Sequence, residues 1–259
     1  LATGSNAQFN LSPNTYVSWT FKKQAKFFDI VTYTGNGVSG RSISHSLNSD
    51  VGTILFKRTD STGNWIVWHR SAGGAYGFLD TTDAFTADSG ISNPTTTAFT
   101  IESTINAGWN ASGGTYVAYL FAHDTDASSL IKCGSYTGTG SANNAVTLGW
   151  EPQWLIVKSA SGTGSVQNWD MFDNQRGFSS GSTTGELFPN TSIAERNLSN
   201  RMNATATGFS TGTASVDEIN ASGVTYIYMA IRNSSIPTIT YDPNLQWSGG
   251  TAPTLPATG

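Results

Sequence analysis

The chain has 259 residues, of which 37% are hydrophobic and 12% are charged, and its formal net charge is −4. This length and apolar content suffice for one large β-domain or two ordinary ones, because a single core rarely grows beyond about 250 residues. The acidic balance excludes nucleic acid as an expected partner, since phosphate binding requires clustered Lys and Arg, and the sequence has no long basic stretch.

The chain begins with a leading segment, residues 1–26, that we interpret as a linker. It does not begin with Met, and we expect it to be a portion of a longer chain. A basic cluster at Lys22–Lys26 ends this segment. We interpret the cluster as a solvated turn into the first folded unit.

Residues 27–124 are predicted to form a first β-sandwich unit. Thr53–Arg58, Trp65–Arg70 and Thr115–Ala122 are rich in β-branched and aromatic residues and are bounded by Gly, Ser, Asn and Asp, a composition typical of strands. Tyr116–Ala122 is apolar on both faces, which predicts a central strand in a sheet that is covered on both sides. Helix is predicted to be almost absent.

After a short polar joint, residues 130–233 repeat the pattern of the first unit. Several sequence blocks return in the same order about a hundred residues later, which is the usual size of one β-sandwich. Val31–Gly37 returns as Gly134–Gly140, and Asn110–Gly113 returns as Asn220–Gly223. The sequence therefore predicts an all-β fold of two tandem, jelly-roll-like sandwich units that arose by internal duplication.

Residues 234–259 form a trailing segment that we also interpret as a linker. It ends in Leu255–Gly259, which matches the sortase pentapeptide and would imply a Gram-positive surface protein. That signal normally needs an apolar segment and a basic tail after it, which this sequence does not show. A Pro-containing linker is therefore the favoured interpretation.

Three residues are candidates for contact with a ligand or receptor. Trp109 precedes a Gly-rich turn and has no Trp counterpart in the second unit, so we expect it to be exposed. Arg196 and Arg201 lie in Phe178–Met202, a polar loop region in which the units differ; Asp83–Thr97 is the corresponding region of the first unit. A specialised site is expected where the units differ, because shared positions are explained by the common fold.

A sugar-binding face would need exposed rings with hydrogen-bonding side chains beside them. Trp65 and Trp68 lie close to Arg70 in sequence and could supply such a face. Trp65 recurs as Trp169 inside a strand block, however, and we predict that both of these indoles are buried core. Cys133 lies in an apolar run and is predicted to be a buried small hydrophobe.

No catalytic residue, metal or cofactor is predicted. His45, His69 and His123 lack metal-ligand spacing, and Asp124–Asp126 lacks the remainder of an EF-hand loop. Glycosidase chemistry requires two carboxylates about 5–10 Å apart, and no sequence pattern pairs the available ones. The carboxylates considered are Glu102, Glu151, Glu186, Asp170 and Asp173. No run approaches the ~18 apolar residues of a membrane span, so membrane insertion is not expected.

A family resemblance is carried by Phe27–Gly37, Gly40–Leu47 and Tyr116–Asp124, and in the second half by Ile131–Gly138 and Gly149–Leu155. These segments resemble a duplicated module in large tail proteins of tailed bacteriophages, especially marine and cyanobacterial phages. In that family the module lies within long tail-fibre or appendage polypeptides, beside lectin-like sandwich domains. The family supplies no catalytic residues that could be transferred to this sequence.

The resemblance implies a non-enzymatic structural protein on the exterior of the virion, in the phage tail, assembled in the host cytoplasm. The implied partners are other tail proteins and a host-surface glycan, and a thin exterior rod favours identical copies, most simply a trimer. Two alternatives stay open: a secreted or surface glycan-binding module of a bacterium, and a capsid-decorating protein. The sandwich fold alone decides nothing here, because it hosts adhesins, glycan binders and inert spacers.

Overall fold

The computed structural model describes residues 18–87, 90–92, 94–102, 107–161, 167–179, 183–212 and 218–233. In these ranges the chain consists almost entirely of antiparallel strands and turns, which confirms the predicted all-β class. Helix is limited there to α1 (Ala107–Asn110) and a 3₁₀ turn (Asn174–Arg176). None of the helices in these ranges is long and apolar enough to cross a membrane. Residues 1–17 of the predicted leading linker, and the whole trailing linker with Leu255–Gly259, lie outside the described residues.

The described residues of the first half form two sheets. Its strands are β1 (Phe28–Thr34), β2 (Arg41–Ser44), β3 (Asp50–Arg58), β4 (Ile66–His69), β5 (Ala75–Phe78), β6 (Thr86–Ala87), β7 (Ile91–Ser92), β8 (Ala98–Ile101) and β9 (Thr115–His123). One sheet has the order β1-β9-β3-β4-β5-β6, and the other has the order β2-β8-β7. The strand predicted at Tyr116–Ala122 is part of β9 and lies between β1 and β3, so the predicted central position is confirmed.

In the part of the second half that the structure describes, the strands form three sheets. Its strands are β10 (Ile131–Thr137), β11 (Ala145–Thr147), β12 (Pro152–Ser159), β13 (Asp170–Asp173), β14 (Thr183–Glu186), β15 (Arg196–Ser199), β16 (Met202–Thr205), β17 (Gly208–Thr211) and β18 (Thr225–Arg232). Their orders are β10-β18-β12-β13, β11-β17-β16 and β14-β15. The closing strand β18 is central, as β9 is in the first half.

The two halves share one pairing scheme. The order β10-β18-β12-β13 matches β1-β9-β3-β4 strand for strand, and β11-β17-β16 matches β2-β8-β7. The first half adds β5 and β6 to its larger sheet, whereas the second half adds the separate ribbon β14-β15. An origin by duplication stays a prediction, and this shared strand order supports it.

Paired tyrosines repeat in the two halves. Tyr33 on β1 lies opposite Tyr116 on β9, and Tyr136 on β10 lies opposite Tyr226 on β18. Both pairs are stacked, with ring centroids 5.2 and 5.1 Å apart. The hydroxyls of Tyr33 and Tyr136 donate to the carbonyls of Trp109 and Ile219, at 2.7 and 2.6 Å. Each pair thereby ties the first strand of its half to the segment before the closing strand.

The two larger sheets face one another, so the halves share a core. Successive side chains of a strand point to opposite faces of its sheet, so β12 contributes side chains to the cores on both faces. Trp154 and Ile156 on β12 belong to the core cluster of the first half, whereas Leu155 and Val157 belong to the second sandwich. The described chain is therefore a stack of sheets in which both central sheets are covered on both faces.

The contact between the halves requires close backbone approach at one point. Cys133 on β10 is fully buried, as predicted, and its Sγ lies near the carbonyl of Ala122 on β9 (3.6 Å). A Cβ added at Gly52, which sits at a bulge in β3, would lie 2.5 Å from that Sγ. Only glycine leaves room for the second half at this position.

The recurring Trp65 and Trp169 differ in burial. A lysine ammonium lies over each indole ring. Lys57 is 5.6 Å from the Trp65 ring centroid, and Lys158 is 5.5 Å from the Trp169 ring centroid. Trp169 is 4% exposed, which confirms its predicted place in the core. Trp65 is partly buried, which agrees with the prediction that it is mostly covered, but it is less buried than Trp169. The difference arises because Trp169 is covered by the first half, including Phe85, whereas Trp65 lies against Tyr119 near the outer rim.

Candidate functional site

The expectation that Trp109 is exposed is wrong. Its side chain is fully buried, because α1 directs the indole into the first sandwich. There it packs edge-on against Phe56 and Tyr76, with centroids 5.8 and 5.2 Å away. The apolar counterpart Ile219, also fully buried, is the sequence signal that could have indicated a core position. Trp109 is therefore not available for stacking with a surface ligand.

The structure brings Arg196 and Arg201 together, but around buried carboxylates. Arg201 is 3% exposed, and its Nε lies 3.1 Å from Oε1 of the fully buried Glu186. Its Nη2 also contacts Glu218. The expectation that Arg201 is a surface contact is wrong. The guanidinium lies in the interior because it pairs with the buried Glu186, and a buried carboxylate without a partner would be costly.

Arg196 closes the same cluster from the solvent side. Its Nε donates to Oε2 of Glu186 at 2.7 Å, and its guanidinium also pairs with Glu218. The side chain is 33% exposed and lies over the ring of Phe188, 4.9 Å from the centroid. Receptor contact by Arg196 stays a prediction, and the exposed third of its side chain is what such a contact could use.

Asp170 completes what we call the carboxylate–arginine cluster, formed by Asp170, Glu186, Arg196, Arg201 and Glu218. Carboxylate oxygens of its three acidic members lie within 4.8 Å of one another. Burial raises the pKa of Asp170 well above its usual range, and the adjacent charge of Glu186 raises it further. The raised pKa favours the protonated form of Asp170 beside Glu186.

The composition of this cluster does not favour a metal or a hydrolytic site. Three converging carboxylates are a donor set that suits divalent cations, but here two guanidinium groups already supply the positive charge. A glycoside would have to reach both members of a carboxylate pair. Asp170 and Glu186 are 1% and 0% exposed, so the pair is covered. The geometry favours an internal ion-pair network that fixes the polar region Phe178–Met202.

Replacing Asp170 by Asn is expected to remove a pH dependence of stability. The folded chain keeps the Asp170 proton that the unfolded chain releases above about pH 3.8. Its contribution is therefore full below that pH and is lost as pH rises towards the raised folded pKa, with a slope of up to about 1.4 kcal/mol per pH unit. Urea unfolding from pH 4 to 9 should show Asp170→Asn gaining stability relative to the unsubstituted protein as pH rises.

Glu218→Gln is a control for this prediction, because the stability contribution of Glu218 should depend on pH in the opposite direction. Although burial acts to raise it, the pKa of Glu218 is lowered overall by its hydrogen bond to Arg196 and by the charge of Arg201. Its stabilising contribution is present above the unfolded pKa and is lost as pH falls through the folded pKa. The stability difference caused by Glu218→Gln should thus shrink on acidification. Parallel pH profiles of stability for the unsubstituted protein and Asp170→Asn would contradict the raised pKa of Asp170.

A surface groove of about 380 Å³ combines aromatic rings with polar side chains. Its rings come from Trp19, Phe21, Phe27 and Trp154, and Gln153, Asn174 and Gln175 lie beside them. Asn174 and Gln175 are exposed and Trp19 is partly exposed. Rings next to amide side chains are what a sugar-binding face requires. We call this feature the aromatic groove.

The 3₁₀ turn after β13 holds one wall of the aromatic groove. Asp173 caps this turn, since its carboxylate accepts from the N–H groups of Gln175 and Arg176 at 3.0 and 3.1 Å. The same carboxylate pairs with the Arg176 guanidinium, which lies over the Trp19 ring at 5.4 Å from the centroid. Gly177 ends the turn with a φ of 83°, a conformation that favours glycine. The cap thus positions Arg176 to hold the strap, residues 18–21, against the second half.

The aromatic groove does not include the predicted contact residues. Of the predicted variable regions, Phe178–Met202 begins just after the 3₁₀ turn and is described apart from residues 180–182, and Asp83–Thr97 is described apart from residues 88, 89 and 93. The halves differ in sequence after β4 and after β13, and this difference is the feature of the sequence that indicates a position next to the groove. The first half continues there into the hairpin β4-β5, whereas the second half forms the 3₁₀ turn.

By its fold, the protein belongs to the class of all-β proteins with stacked antiparallel sheets. The chain belongs to the family described as Domain of unknown function (DUF7483), which matches residues 1–235. No curated protein and no solved structure matches the chain. Membership in this family assigns no activity, so the geometry of the aromatic groove is the basis for a functional assignment.

Proposed function

We propose that the chain is a non-enzymatic module on the exterior of a tailed bacteriophage, part of a tail fibre or appendage, and that its aromatic groove binds a host-surface glycan. The observation that supports glycan binding is the juxtaposition of the partly exposed Trp19 with the amides of Gln153, Asn174 and Gln175. Sugar rings present apolar faces that stack on indoles and hydroxyls that bond to amides.

The volume and charge of the aromatic groove favour an uncharged saccharide. Its volume of about 380 Å³ falls within the range of roughly 300–1,000 Å³ that is usual for small-molecule sites. The charged side chains in its wall, Asp173 and Arg176, pair with each other. The side chains left to bond a ligand are therefore neutral amides and hydroxyls, such as Asn174 and Thr20.

A structural role in a particle is supported by how the halves are joined. The core cluster of the first half continues into the facing sheet of the second, so the two sandwiches form a single block. The burial of Asp170 and Glu186 supports the non-enzymatic assignment. The resemblance to phage tail proteins supports the location, and repeated identical contacts around an axis, most simply threefold, would stabilise a thin appendage.

Trp19→Ala and Asn174→Ala are expected to weaken glycan binding about two- to tenfold each, because each removes one stacking or hydrogen-bonding group. Binding of the isolated chain to host-surface polysaccharide and its oligosaccharides is measured by calorimetry. Asn64→Ala is the matched control, since Asn64 is exposed and lies outside the groove. Equal affinities for all variants and the unsubstituted protein would contradict the groove as the binding site.

The phage location has its own test against the two alternatives. Electron microscopy of intact particles with an antibody to this chain should label the exterior of the tail. Labelling on the head surface would favour the capsid-decorating alternative, and absence from the particle would contradict a virion protein. A sortase tail encoded directly after Gly259 would favour the bacterial surface module.

A further inference from the structure

A second cavity lies between the facing central sheets, under the strap. Its volume is about 220 Å³, and both halves supply its walls. Leu55 and Val67 come from the first half, and Trp154, Ile156 and Trp169 come from the second. This feature is lined mainly by apolar core side chains, whereas the aromatic groove is also lined by exposed amides. We call it the inter-sheet cavity.

The walls of the inter-sheet cavity carry no charge. His69 is the titratable imidazole in the wall, and burial lowers its pKa to about 4, so the ring is neutral at physiological pH. Its Nε2 bonds to the carbonyl of Tyr228 at 3.0 Å. An ionised ligand would be strongly disfavoured here, because burying a charge without a partner is costly.

Most polar side-chain groups in these walls have a partner, but one does not. The hydroxyl of Thr53 donates to the Trp68 carbonyl at 2.6 Å, and the indole N–H of Trp169 donates to the Phe78 carbonyl at 2.7 Å. The indole N–H of Trp154 is buried and has no acceptor within the described part of the chain. Trp154 is 7% exposed, so solvent does not compensate this donor well. Buried donors in proteins normally have a partner.

We propose that the inter-sheet cavity binds a small, uncharged, mainly apolar molecule with one hydrogen-bond acceptor, which bonds to the indole N–H of Trp154. A cavity of roughly 150 Å³ lined by apolar side chains stays dry and binds benzene. By that scale, 220 Å³ accommodates a molecule of roughly nine non-hydrogen atoms. An aryl or alkyl ketone, ester or ether has this size and chemistry.

Acetophenone and isopropylbenzene test this proposal, since they have the same number of non-hydrogen atoms and only the ketone carries an acceptor. Both should bind the unsubstituted protein saturably in calorimetry. Trp154→Phe keeps a ring in the wall and removes the N–H. It should reduce the affinity for acetophenone relative to isopropylbenzene about two- to tenfold, the usual worth of one hydrogen bond. An unchanged ratio would overturn the assignment of the acceptor to Trp154.

Val67→Phe is expected to fill the inter-sheet cavity and weaken both ligands at least about tenfold, with Leu55→Phe as a second filling variant if the first does not fold. Val38→Phe is the matched control, because Val38 is 58% exposed and lies outside the cavity. Asn174→Ala should leave both affinities unchanged, which separates this site from the aromatic groove. Lack of saturable binding to the unsubstituted protein, or full binding to folded filling variants, would overturn the proposal.

Discussion

Arg201→Ala is expected to lower the free energy of unfolding by about 3–5 kcal/mol, the usual cost of breaking a buried ion pair from one side. The loss arises because Glu186 is fully buried and would be left with the partly exposed Arg196 as its guanidinium partner. Asp170 would lose the same cation, which lies 3.6 Å from its Oδ1. Urea unfolding at neutral pH measures the change.

Arg196→Ala is the matched control for this prediction. Both arginines contact Glu186 and Glu218, but Arg196 is 33% exposed and Arg201 is 3% exposed. Solvent can take over part of the role of Arg196, so the expected loss is about 1 kcal/mol. Equal losses for the two variants would contradict the view that burial sets the cost. A loss below about 1 kcal/mol for Arg201→Ala would show that the carboxylates protonate or rearrange without it.

The double variant Arg201→Met with Glu186→Gln separates pairing from packing. Replacing a buried ion pair by groups of similar volume is often neutral, whereas removing one partner is costly. The double variant should therefore recover much of the stability that Arg201→Met alone loses. Additive losses in the two single variants would mean that each side chain acts through its packing and not through their ion pair.

The parts of the fold that were predictable from sequence are those with local signals. The apolar run at Tyr116–Ala122 indicated a central strand because a strand covered on both faces has no polar alternation. The recurring Tyr-Thr-Gly pattern at Gly35 and Gly138 reflects a real steric demand. A Cβ at either glycine would lie about 2 Å from the carbonyl oxygen of Ala111 or Ala221. Such steric requirements concern only a few consecutive residues, so the local sequence indicates them.

The carboxylate–arginine cluster could not be predicted, because its members come from separate segments. Asp170 begins β13, Glu186 ends β14, and Glu218 lies in the loop before β18. Only the pairing of sheets brings them within 4.8 Å of one another. The prediction for Trp109 failed for a related reason. The Gly-rich turn after it suggested exposure, whereas the direction of α1 determines where the indole points.

The same limit applies to the aromatic groove and the inter-sheet cavity. Trp154 contributes to both, and its neighbours come from the strap and from strands of the other half. The sequence marked Trp154 only as a member of Gly149–Leu155, one of the segments that carry the family resemblance. Its partners depend on how the two central sheets face each other, which repetition within the chain does not reveal. Sites between repeated units therefore require the structure even where the units themselves are predictable.

Trp169→Ala is expected to lower the free energy of unfolding by about 3–5 kcal/mol, since it removes a buried indole and leaves a void in the core. Two further contacts are lost with the ring: the hydrogen bond to the Phe78 carbonyl and the cation–π contact of Lys158. The Phe78 carbonyl belongs to the first half of the chain. The substitution therefore weakens the contact between the halves as well as the second sandwich.

Trp65→Ala is the matched control, because Trp65 is the sequence counterpart of Trp169 and also carries a lysine over its ring. Trp65 is only partly buried, so its loss should cost about 1 kcal/mol through the smaller apolar area that it removes from water. Because the two positions share sequence context, the difference between them reports the contribution of the facing sheet. Similar losses at both positions would contradict a shared core between the halves, since Trp169 would then gain nothing from the first half that covers it.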